Sequence, residues 1–165
     1  MRIRALIAGI ASTAVAALAW AHSAPNSVVS LDFAAHAVRA EFFVPVSELQ
    51  YATAAERDGG DFPAYLLRHV SAHSPAGAAW SVNVLGVRRA STAGHDYWVA
   101  ALELTPPHGA SARDLVLVDD AVTHEVRNHV VTVLARSDAA AADASGPQLL
   151  GVLQYPARSL EIHRR

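Results

Sequence analysis

The 165-residue chain has no cysteine. That absence removes thiolate nucleophiles, cysteine-rich zinc sites and dithiol redox motifs, and it leaves core packing to hold the fold without disulfides. Lysine is missing too. All 13 basic residues are arginine, which together with the abundance of alanine reads as codon bias more than chemistry. Past Trp20, every apolar run is interrupted by Arg, Asp, Glu or His, so none reaches the roughly 20 residues of a membrane-spanning helix. Three local signatures of catalysis are absent as well: the G-x-S-x-G nucleophile elbow, the phosphate-binding glycine loop and the dinucleotide fingerprint. A Ser-His-Asp set has no local support.

One apolar run does stand out, at the start. Met1-Arg2-Ile3-Arg4 places two positive charges ahead of an uncharged stretch from Ala5 to Trp20, and Ala19-Trp20-Ala21 puts small residues where a signal peptidase reads. Charged start, short apolar middle and A-x-A end make a secretory pattern. An uncleaved anchor or a buried helix are the other structures such a run can form. Cleavage after Ala21 leaves a single domain, residues 22–165, long enough for a core of its own. It sheds two arginines, so eleven remain against 15 acidic residues. A mildly acidic domain of this kind excludes nucleic acid as a natural partner.

The mature chain is patterned for strands. Ser27–Phe33 and Ala37–Pro45 are short and rich in Val and Phe. In the second, Val38, Ala40, Phe42 and Val44 alternate with Arg39, Glu41 and Phe43, and Pro45 closes it. Two short helices follow, one opened by Ser47 and broken at Asp58-Gly59-Gly60, the other capped by Asp61. The second carries Phe62, Leu66, Leu67 and Val70 as an apolar stripe and runs to about His73. Strands resume over 80–88, 97–105, 114–118, 129–135, 149–155 and 159–163, with an Ala- and Asp-rich loop over 139–147. The pattern predicts a mainly β fold: a β-sandwich of Ig-like, Greek-key type with one or two short helices after the second strand. A half-open barrel is its nearest rival.

Nine histidines are the most informative compositional feature, because imidazole is both the commonest neutral metal ligand and a group that titrates near neutral pH. If cleavage follows Ala21, His22 carries a free α-amine beside its ring, a chelating pair for Cu(II) or Ni(II) that one further imidazole would complete. The plain alternative is that His22 simply follows the signal peptide and binds nothing. His69 and His73 share a helical face at spacing four, yet sit at the border of the apolar stripe, where a histidine packs its ring and wets one nitrogen. Val122–Val130 (VTHEVRNHV) resembles a zincin motif with one residue too many. Positions five apart diverge on a helix and face opposite sides of a strand, and the valines favour strand. His124 and His129 meet only if the chain turns or bulges at Arg127-Asn128, with Asp119 and Asp120 just upstream to supply a carboxylate, Asp120 the one carried forward.

Several words recur together. Pro25-Asn26-Ser27-Val28-Val29 with Leu31-Asp32-Phe33 comes first, then Phe43-Val44-Pro45-Val46-Ser47-Glu48-Leu49. Asp120-Ala121-Val122-Thr123-His124-Glu125-Val126 follows, with His129, then Arg136-Ser137-Asp138 and Leu149-Leu150-Gly151-Val152-Leu153. In this order they resemble the extracytoplasmic N-terminal region of HupE/UreJ-like bacterial membrane proteins. The resemblance runs from about Ala24 to Ile162. It implies a β-rich periplasmic domain that precedes transmembrane helices associated with nickel transport. Those helices would begin where this sequence ends.

The expectation is a non-enzymatic periplasmic domain working with a membrane partner, capturing or presenting Ni or Cu through His22, His124, His129 and Asp120. A structural or protein-interaction module with no metal role is the alternative.

Overall fold

Alternation drives the first two strands into the heart of a sheet. In the computed structural model, which describes residues 25–53, 62–138 and 146–164, β1 (Ser27–Phe33) and β2 (Val38–Pro45) each bury every second side chain. Val29, Leu31 and Phe33 of β1 and Val38, Ala40, Phe42 and Val44 of β2 all lie in the core. The strands pair antiparallel with Leu31 opposite Ala40. Burying the same parity on both puts one apolar face against the interior.

The chain then makes α1 (Val46–Ala52) and α2 (Phe62–His69), a short strand β3 (Val70–His73), and the long strands β4 (Ser81–Thr92) and β5 (His95–Thr105). After these come β6 (Asp114–Asp119), β7 (Val131–Asp138), β8 (Gln148–Leu153) and β9 (Ser159–His163). Six strands form one sheet in the order β4-β5-β2-β1-β7-β8, and three form another in the order β3-β6-β9. All ladders are antiparallel except that of β1 with β7, which is parallel. Leu102 and Leu104 of the large sheet, Leu115, Leu117 and Ile162 of the small one, and Phe62 and Leu66 of α2 share one buried cluster. This is the mainly β, two-sheet arrangement that the strand pattern predicts.

Local differences have local causes. The first helix is capped by Pro45 in extended conformation, with no side-chain cap bond, so Ser47 lies inside it and does not open it. The second helix ends at His69, and His73 is on β3; the β-branched Val70 pairs with β6, and tertiary pairing overrides the helical period. His69 and His73 therefore share no helical face. The strands around residues 80–105 run longer than expected because they form one hairpin. Thr92 pairs with His95, and Ala93 and Gly94, at φ 50° and 79°, make the two-residue turn, a geometry that matches the twist of flanking strands. Residues 122–130, where the valines favour strand, form turns and irregular loop. Asp61, the 139–145 loop, and the segment through His22 lie outside the described residues. Among those described, no helix is long and apolar enough to cross a membrane.

Candidate metal centre

The connection from β6 to β7 crosses from the small sheet to the large one, and its first residues build the site. Asp119 closes β6 opposite Val70, the residue after the end of α2. That register sets the last residue of the helix beside the first of the loop: the Asp120 N–H donates to the His69 carbonyl at 3.2 Å. The loop then takes a single helical turn. His124 N–H donates to the Asp120 carbonyl (3.2 Å) and Val126 N–H to the Val122 carbonyl (2.9 Å), which brings residue 124 back over residue 120. Ala121 and Val122 anchor the turn in the core. The Asp119 carboxylate accepts from Ala121 N–H at 3.0 Å, and the Tyr65 hydroxyl donates to the Ala121 carbonyl.

His69, Asp120 and His124 come together here. Candidate ligand atoms, one from each, all lie within 4.8 Å of one another, and all three residues are half-buried. The two imidazoles are stacked, with ring centroids 4.3 Å apart and planes inclined by 20°, and Tyr65 packs on His69 at 4.5 Å. His124 Nδ1 lies 2.8 Å from the Asp120 carbonyl oxygen. A carbonyl only accepts, so Nδ1 carries the proton and, in the neutral ring, the lone pair is on Nε2. His69 Nδ1 lies 2.8 Å from Asp120 Oδ1, while Arg158 Nη1 donates to Oδ2 at 2.9 Å. One residue thus fixes both tautomers. This is the role that a carboxylate or carbonyl behind a metal-ligating histidine plays: it orients the ring and raises the basicity of the far nitrogen. For both Nε2 atoms to face one ion, the rings must splay from their stack.

His129 belongs elsewhere. The expected turn exists, but it brings His124 to His69, not to His129. The His129 ring is buried at the start of β1, where Ser27 N–H donates to Nε2 at 3.2 Å and Ser27 Oγ lies 2.8 Å from the same atom. On its other side, Nδ1 is 3.6 Å from Glu48 Oε2 of α1, beyond a hydrogen bond. Burial moves both groups toward their neutral forms, pulling His129 down to about 4 and pushing the Glu48 carboxyl up. With its lone pair engaged, Nε2 is not offered to an ion. His129 instead ties the far end of the site loop to the large sheet.

Ser27, His129 and Glu48 stand in the order of a Ser-His-acid triad, joined from three remote positions. Ser27 and His129 are each only 3% exposed, so a substrate carbonyl has no approach to Oγ, and nucleophilic chemistry needs that approach. Nothing near either residue in sequence forecasts this set.

Of the residues that the sequence singles out, Asp120 and His124 meet and His129 stands apart. His22 lies outside the described residues. Sequence spacing sets His69 beside His73 alone; its neighbours in the fold are 51 and 55 positions away, and the β3–β6 register brings them in. No family model and no curated protein matches the chain. What the molecule offers is therefore its own chemistry: a mainly β frame carrying one His–Asp–His cluster among the described residues.

Proposed function

We propose that this chain is a non-enzymatic, extracytoplasmic domain that captures Ni(II) or Cu(II) and presents it to a membrane partner. The single observation that carries the metal role is the pair of stacked imidazoles, each with Nδ1 held by Asp120 and with no hydrogen bond at Nε2 among the described residues. Neutral nitrogen donors suit the late first-row divalent ions, with Cu(II) at the top of the affinity order. Two protein nitrogens leave most of the coordination sphere open, which favours exchange over permanent retention. Export rests on the signal pattern of residues 1–21, and the membrane partner on the HupE/UreJ-like resemblance.

Calorimetric titration of residues 22–165 with Ni(II), Cu(II) and Zn(II) tests the proposal. One ion per chain is expected at the cluster, lost in His69→Ala and His124→Ala. No binding tighter than about 10 μM, roughly −7 kcal/mol, would remove the metal role.

A second reading, a docking module without metal, draws on the outer face of edge strand β8. Val152 and Leu149 pair with Thr132 and Leu134 of β7 and are 48% and 59% exposed. It predicts that the double variant His69→Ala/His124→Ala binds the membrane partner as the natural chain does.

A further inference from the structure

The charge around the cluster is wrong for a bare dication. His69 and His124 enter as neutral donors, and Asp120, the one carboxylate, already faces the Arg158 guanidinium at 2.9 Å. The group therefore sums to about zero before any ion arrives. A naked divalent ion held by these half-buried side chains would bring two positive charges against at most the neighbouring Asp119 carboxylate, with Asp120 already taken by a cation, a costly arrangement away from bulk water. Arg158 is itself 49% exposed. Among the described residues its side-chain hydrogen bond runs from Nη1 to Asp120 alone, and a guanidinium has five donors in a fork that fits a carboxylate.

Resting on the metal reading above, we propose that the site takes its ion as a carboxylate chelate: a late first-row divalent ion bound to a small organic acid or amino acid. His69 and His124 Nε2 complete the metal's coordination, and Arg158 binds a carboxylate of the chelator. The chelator's negative charge balances the ion, and the open coordination positions are filled from the start. Asp120 then acts as a positioning residue, holding both rings and the guanidinium in register, and is not itself a ligand.

The test compares two probes, Cu(II) in a non-coordinating buffer and the one-to-one Cu(II)–iminodiacetate complex, on residues 22–165. Arg158→Ala is expected to weaken binding of the iminodiacetate complex about tenfold while free Cu(II) binds within threefold of the natural chain. Arg158→Lys, which keeps the charge but not the fork, is expected to fall between. His69→Ala/His124→Ala supplies the background from the other histidines and is expected to abolish cluster binding of both probes. Equal effects of Arg158→Ala on both probes, or none on either, would overturn the chelate proposal. If the natural chain binds neither probe above the double-variant background, the metal reading itself fails, and with it this proposal. Unchanged thermal melting of each variant excludes misfolding as the cause.

Discussion

Two buried ionisable residues set opposite pH dependences, and each can be exposed by removing the other. Burial holds the Asp119 carboxyl up at about 6, so the fold favours its protonated form. The contribution is destabilising above pH 6 and is relieved as pH falls toward the ordinary carboxylate range. His129 is held down at about 4, so the fold favours the neutral ring. That neutral ring carries no penalty above pH 6.5, and destabilisation grows as pH falls toward 4. Over about pH 4–6 the two slopes offset. Asp119→Asn keeps an oxygen for the Ala121 N–H and removes the charge. It is expected to raise stability at pH 8 by about 1–2 kcal/mol and to leave a variant that loses stability steadily from pH 6.5 to 4. Urea unfolding at a series of pH values measures both effects; a variant less stable than the natural chain at pH 8 contradicts the assignment. Neither shift is legible in the sequence. Both come from enclosure, and the Val-rich flanks of Asp119 and His129 say only that a core is near.

At the scale of elements, alternation was legible and its interruptions were not. The inward set of β2 follows directly from Val38, Ala40, Phe42 and Val44, because side-chain period two maps parity onto a face. The end of α2 does not follow, since the apolar stripe continues to Val70 and only the ladder to β6 turns that residue into a strand. The His–Asp–His cluster depends on this termination: a helix continued to His73 would not have set His69 against Asp120. The β4–β5 turn gives a direct test of local geometry. Ala93 holds φ 50° ahead of Gly94, a conformation that costs a residue with a Cβ about 1–2 kcal/mol and that asparagine tolerates better. Ala93→Asn is expected to raise stability by roughly 0.5–1 kcal/mol, and Gly94→Val to lower it by about 1–2 kcal/mol. Thermal melting checks both, and a stabilising Gly94→Val would contradict the turn assignment.

For the whole molecule, a single buried cluster draws on both sheets and both helices, which without disulfides makes core packing the source of cohesion. Phe42 is 1% exposed and Leu117 fully buried, one in each sheet. Truncating either to Ala is expected to cost about 3–5 kcal/mol, and because the core is shared, either should weaken the docking of one sheet on the other. A single cooperative transition lowered in both variants would show it, whereas independent melting of two units would contradict a shared core. The sandwich was legible because strands with one apolar face must cover one another. The site was half legible: Asp120 and His124 lie four apart in one word of sequence, but their third member comes from a different element. The strand order that unites them has no local signal.

The proposed metal role requires that His69 and His124 offer Nε2 to one ion. Nitrogen-15 spectra of the histidine rings during Zn(II) titration test it most directly, because each ring nitrogen reports its own proton or ligand. The Nε2 signals of His69 and His124 are expected to move together, saturating at one ion per chain, while their Nδ1 atoms stay protonated and His129 does not respond. Shifts confined to other histidines, or a metal-bound Nδ1 at either ring, would contradict it.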